Sequence, residues 1–234
     1  MDWATVIERN REALLGVVAT LFVLAGLGTS GPARLPRHLV SYVLRILRPA
    51  ETATRRLIVI AAHTISPIHP PFGAFLHGLD PNKARGRRPC SGGGADDGGT
   101  ARVPAFALAD PVKRFSCEPR RRRARSFPRI SVLGVSDPAP LPPVPTPEDP
   151  VAAGALCGRL KALKRALDDI DGQARRLVRW QARRERAFSS PARLSPLRNG
   201  RPPGGRTRPR HEVDVLLADL HWLAMHALLP PDTS

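Results

Sequence analysis

The residues best able to do chemistry stand at spacings that do not assemble a catalytic or metal site. His63, His69 and His77 lie six and eight apart. A helix brings two imidazoles to one face only at separations of three or four, so this series predicts packed or solvated histidines and no helical zinc site. His221 and His226 are five apart and point to different sides of one helix. Asp168, Asp169 and Asp171 form the tightest carboxylate group, but Lys164, Arg165 and Arg175 surround them at helical spacing. Ordinary ion pairing accounts for such a set. Cys90, Cys117 and Cys157 are too few and too far apart for a disulfide framework or a zinc module. The glycines at 92–94 and 98–99 follow no strand and precede no Lys-Ser/Thr pair, so they make no phosphate loop. HExxH, GxSxG and CxxC are absent from the sequence. The expectation is a non-enzymatic protein with no cofactor and no metal.

Recognition chemistry is better represented. Arg120, Arg121, Arg122, Arg123 and Arg125 form the densest basic run, followed by Ser126. Such a run suits lipid headgroups, nucleic acid or an acidic protein; as text it also resembles a basic proprotein cleavage site or a basophilic kinase site. Nucleic-acid binding normally adds aromatic stacking platforms, and only Phe115 and Phe127 flank the run, so a solvated basic linker is the preferred reading. Pro142 and Pro145 have PxxP spacing, in a stretch where proline is abundant and a plain spacer is the simpler reading.

These groups must be positioned by a chain of 234 residues with a formal charge of +17, 26 Pro and 19 Gly. That length allows one domain or two small ones. Aromatic residues make up 5%, which argues against a large packed core. Arginine supplies 33 of the 37 basic residues, a bias that weakens the reading of each arginine as a chosen contact. A surplus of this size favours acidic partners. It begins only after residue 33: before that, Asp2, Glu8 and Glu12 face Arg9 and Arg11 alone.

From Ala13 to Ala33 no charge occurs for 21 positions, and the apolar heart holds Leu14, Leu15, Val17, Val18, Leu21, Phe22, Val23, Leu24 and Leu27. About 20 helical residues cross a hydrocarbon core of about 30 Å. Residues 1–33 are therefore expected to form an N-terminal helix with a membrane span over 13–33. A cleaved signal peptide and a buried core helix are the competing readings. Arg34, Arg37, Arg45 and Arg48 follow the segment, which would place the N-terminus outside and the bulk of the chain in the cytoplasm.

Residues 34–65 read as a basic amphipathic helical segment. Leu39, Val40, Val43, Leu44 and Leu47 recur at helical spacing opposite Arg37, Arg45 and Arg48, with Pro49 expected to kink or interrupt the helix. It suits either a membrane interface or packing within the protein. Residues 66–149 carry no lasting period and read as a disordered Pro/Gly/Arg-rich linker, with short ordered fragments expected near Val103–Phe115 and Phe127–Val135.

The clearest pattern starts at Asp149-Pro150, read as N-cap and first helical position. Leu156, Leu160, Leu163, Leu167, Ile170, Ala174 and Leu177 then follow at alternating spacings of four and three, which predicts one long heptad helix over 150–188. A flexible loop at 189–210 leads to a second amphipathic helix over 211–229, with Val213, Leu216, Leu220 and Leu223 on its apolar stripe. Two such stripes predict a helical hairpin or short coiled coil that self-associates or takes a protein partner.

The fold expected is thus mostly α: an N-terminal membrane helix, a basic amphipathic helix, a long linker and a C-terminal helical pair. The function expected is a non-enzymatic, single-pass membrane-anchored adaptor, held at anionic lipid headgroups and presenting its C-terminal helices to a partner. A basic nucleic-acid-associated protein and a secreted or periplasmic interaction protein are the alternatives.

Overall fold

A computed structural model describes residues 2–27, 34–65, 103–111, 145–185 and 195–228. Among these residues the chain is mostly helical, with five α-helices and one two-stranded antiparallel sheet.

Helix α1 spans Trp3–Leu24. Asp2 has extended backbone, its Oδ1 accepts from the Ala4 N–H at 3.1 Å, and it also receives the Thr5 hydroxyl, so the first turn is capped by a side chain. The other end is closed by glycine. Gly26 has φ +59, its N–H donates to Val23 O, and the Leu27 N–H donates to Phe22 O, both at 3.0 Å. Those two bonds are a Schellman motif, which stops the helix at Leu24 although the apolar sequence continues.

This overturns the length assumed for a span over 13–33. The charge-free helical part is only Ala13–Leu24, 12 residues, which reach about 18 Å against the roughly 30 Å needed. Among the described residues no helix is long and apolar enough to cross a membrane. Leu14, Val17, Val18 and Leu21 are instead buried, and α1 packs chiefly on the second helix.

That helix, α2, spans Arg37–Ile65 without interruption, including Pro49. The expected break does not occur. The Thr52 hydroxyl donates to Arg48 O and the Thr54 hydroxyl to Ala50 O, both at 2.9 Å, in the turns just after the proline. The two halves of α2 differ. From Arg37 to Arg48 it keeps exposed basic residues on one side, as the amphipathic pattern requires. From Thr52 to Ala62 every residue is buried, so this half is surrounded by protein.

Strand β1 (Arg34–Pro36) pairs antiparallel with β2 (Pro150–Ala152), with Leu35 opposite Val151. Pro150 therefore sits in a strand, not at a helix N-terminus. Asp149 stabilises the turn before it, accepting from the Thr146 N–H at 2.8 Å and hydroxyl at 2.6 Å, while the Arg37 N–H donates to Asp149 O at 3.0 Å. Helix α3 runs Gly154–Asp168 and α4 runs Ile170–Glu185. The single long helix expected over 150–188 is thus divided at Asp169. Its Oδ1 accepts from the Gly172 N–H at 3.0 Å, which caps the start of α4. The leucine register survives the break: Leu156, Leu160, Leu163, Leu167, Ile170, Ala174 and Leu177 are all buried.

Helix α5 spans Glu212–Leu228. Asp214 Oδ2 accepts from the backbone N–H groups of Arg210 and His211 at 3.0 and 3.3 Å, while His211 Nδ1 accepts from the Val213 N–H at 3.3 Å. This reciprocal capping fixes the start of the helix. Helix α5 packs mainly on α2, and so does α4. The two C-terminal stripes do not bury one another as a hairpin; α2 takes α4 and α5, and α3 divides between α1 and α2. One core contains Leu14, Leu57, Ile60, Leu163, Leu177 and Leu217 together.

Candidate functional site

The polar residues that the fold brings together are ones the sequence pattern did not single out. Arg55 and Arg56 lie in the buried half of α2, 7% and 0% exposed. Asp110, 2% exposed, comes from the non-helical segment 103–111. Arg56 Nη1 donates to Asp110 Oδ1 at 2.9 Å and Nη2 to Oδ2 at 2.7 Å, a fork-to-fork pair. Arg56 Nη1 also donates to Thr52 O at 3.0 Å, and its Nε lies 3.5 Å from His221 Nδ1 on α5. Arg55 stands 3.5 Å from Asp110, donates through Nε to Ala107 O at 3.0 Å, and lies over the Phe106 ring at 5.7 Å. The Arg198 backbone N–H donates to Asp110 Oδ2 at 3.2 Å.

A second carboxylate extends the array. Glu51, one turn before Arg55, is 3.8 Å from it and accepts both Nε and Nη2 of Arg159 on α3, at 2.9 and 2.8 Å. Three guanidiniums and two carboxylates thus tie α2 to α3 and to segment 103–111. Arg198 and His221 add residues 195–210 and α5.

The electrostatics follow from this crowding. Burial by itself raises the Asp110 carboxyl, but the Arg56 hydrogen bond and charge, the Arg198 N–H and the Arg55 charge together hold it below its ordinary value. Burial pulls the Arg55 guanidinium down, against the nearby Asp110 and Glu51 charges that push it up. The Glu51 hydrogen bond raises Arg159. Burial and then the Arg56 charge lower His221, opposed by Asp110 and a bond to the Gly200 backbone. A carboxylate held ionised by two guanidiniums is a weak base. The array suits clamping separate chain segments better than proton transfer.

The expected site residues fall elsewhere. Leu14, Val17, Val18 and Leu21 are buried in the core, Leu15, Phe22, Leu24 and Leu27 are half-buried against it, and Val23 is 81% exposed. The heptad residues of α3 and α4 are spent inside the chain's own core, as are Val213 and Leu220; Leu216 and Leu223 are half-buried. Arg120–Arg123, Arg125, Ser126, Pro142, His69, His77, Cys90 and Cys117 lie outside the described residues, as does most of the 66–149 linker. Within that linker, residues 103–111 contribute Phe106, Leu108 and Asp110 to the core. Cys157 is buried and free. His63 meets Trp3 edge-on at 6.3 Å and His226 stacks on Trp222 at 5.7 Å. Among the described residues no group of His, Cys, Asp and Glu is placed to hold a metal ion.

The buried array did have a trace in the sequence. Arg55-Arg56 directly precedes the apolar run at 57–62, and Asp110 is the only acid between residues 98 and 117. No family model, curated protein or solved structure matches the chain.

Proposed function

We propose that the chain is a non-enzymatic adaptor that rests on the anionic, cytoplasmic face of a membrane and offers the outside of its helical bundle to a protein partner. The observation that carries this reading is the outer face of α1. Ala13, Gly16, Ala19, Thr20 and Val23 are exposed and form one uncharged stripe of about 15 Å on a strongly basic molecule. A helix with one uncharged face can lie in the interfacial zone, while a surplus of arginine holds anionic headgroups. A span is not part of the proposal, because the opposite face of α1 already packs on α2. On α5, Trp222 is 63% exposed and Val215 49%, which suits a partner or a second copy.

Flotation with vesicles tests the reading. The protein is expected to float with vesicles rich in anionic lipid and not with neutral ones, and to be released by alkaline salt washes. Val23→Asp, at an exposed position, is expected to weaken flotation while leaving the circular dichroism spectrum unchanged. Retention through alkali with release only by detergent would replace this reading with a true span. Failure to float, together with DNA or RNA binding that falls steeply with salt, would favour the nucleic-acid alternative.

A further inference from the structure

A cavity of about 370 Å³ opens beside the junction of α3 and α4. Its apolar side is made by residues 103–106, with Phe106 7% exposed, and by Ala162 and Ala166 of α3. Its polar side is Arg165, Gln173 and Arg176, and among the described residues no Asp or Glu lines it. The contrast is with the arginines of the buried array. Arg55, Arg56 and Arg159 each meet a carboxylate. Arg165 and Arg176 form no ion pair among the described residues, and they share one recess.

The local architecture explains how they meet. Asp169 ends α3 and caps α4, so residues eleven apart in sequence reach the same concavity. The wall opposite is held at two points. Gly158 has no side chain, and a Cβ there would lie 3.6 Å from the Pro104 ring, so the segment rests directly on α3. Arg176 Nη1 donates to Phe106 O and to Gln173 Oε1, both at 3.0 Å, which fixes this guanidinium at the cavity wall. Those bonds use Nη1 and leave Nε and Nη2 as a planar fork, the geometry that binds a carboxylate or phosphate through two parallel bonds.

We infer that this cavity is a binding site for a small organic oxyanion, a phosphate ester or carboxylate on a compact apolar body. The oxyanion sits between Arg165 and Arg176, and the apolar body lies against Phe106 and the alanines. The volume falls in the range of small-ligand sites, about 300–1,000 Å³. The assignment does not rest on the membrane reading, since a soluble ester can occupy the site in the absence of lipid.

Calorimetric titration of the full chain with phenyl phosphate, benzoate and inorganic phosphate tests it. Phenyl phosphate is expected to bind more tightly than inorganic phosphate, because only the former uses the apolar wall. Arg165→Gln, at an exposed position, and Arg176→Gln are each expected to weaken binding about tenfold or more. Arg175→Gln removes an exposed charge one residue away that does not line the cavity, and is expected to bind within about twofold of the parent chain. Vesicles containing phosphatidic acid, added as competitors, identify the source of the oxyanion. Competition abolished by Arg165→Gln assigns the site to a lipid headgroup, and no competition assigns it to a free small molecule. The inference is overturned if neither organic anion binds, if inorganic phosphate binds as well as phenyl phosphate, or if Arg175→Gln is as damaging as Arg165→Gln.

Discussion

Asp110→Asn is the most informative single change, because it keeps the shape of the side chain and removes one buried charge. In the native fold both carboxylate oxygens accept from Arg56, which is 0% exposed, and Arg55 at 7% stands beside them. After the substitution Arg56 has no ionised partner and no access to water. Breaking a buried pair from one side costs about 3–5 kcal/mol. A domain of ordinary stability has about 5–15 kcal/mol in total, so the loss is a large fraction of it. With a urea slope of about 2 kcal/mol/M, the unfolding midpoint falls by about 1.5–2.5 M. Circular dichroism at 222 nm during urea titration reads this directly. The double variant Arg56→Met with Asp110→Leu removes both charges. It should recover most of the loss, less about 1–3 kcal/mol for the Arg198 N–H left without its acceptor. A single-variant cost below about 1 kcal/mol, or strictly additive costs in the double variant, would refute the clamp. The acid limb gives a second check. Asp110 titrates below its ordinary 3.8 in the folded chain, so its contribution is complete above about pH 5 and is lost as the pH falls through 3.8 and then through the lowered folded value. Asp110→Asn should flatten that limb.

His221 also titrates below its ordinary 6.5, through burial first and then the Arg56 charge. Its contribution is present above 6.5 and lost on acidification, so stability should fall as the pH drops through 6.5 and on towards the lowered folded value, and His221→Asn should remove that slope in urea titrations across the range. Gly204 has φ +82, and a Cβ there would approach Pro49 N to 3.0 Å, where the 195–210 segment lies on the α2 backbone. Gly204→Ala is expected to cost about 2–3 kcal/mol in the same assay. Gly200→Ala, with φ +74 and nothing within 4 Å, should cost only about 1 kcal/mol of backbone strain, and equal costs would remove the close approach as the cause.

Much of the helical content was legible because it rests on local patterns. The α5 stripe, its start at His211–Glu212 and the leucine register of α3 and α4 all follow from side-chain periodicity. The terminations were less legible. Gly26 lies inside the charge-free run 13–33, and only its positive φ makes it a helix stop. Asp149-Pro150 reads as a helix start until β1 is found pairing with Pro150. Asp169 stands among acids that look like surface charge, although its capping bond divides the helix. The buried array was the least legible part. Arg56 and Asp110 are 54 residues apart, and no period connects them.

The sequence by itself determined which segments become helices, which of their faces are apolar, and where the net positive charge begins. Those properties depend on residues three or four positions apart, within reach of a single helical turn. Only the tertiary structure decided that α1 packs its apolar face on α2, that α2 separates the stripes expected to meet, and that segment 103–111 supplies the buried anion. A stripe can bury against any complementary surface of the right size, so periodicity names the face to be covered but not its cover. A buried guanidinium is less permissive. It requires a carboxylate at hydrogen-bonding distance, and only the assembled fold brings Asp110 to Arg56.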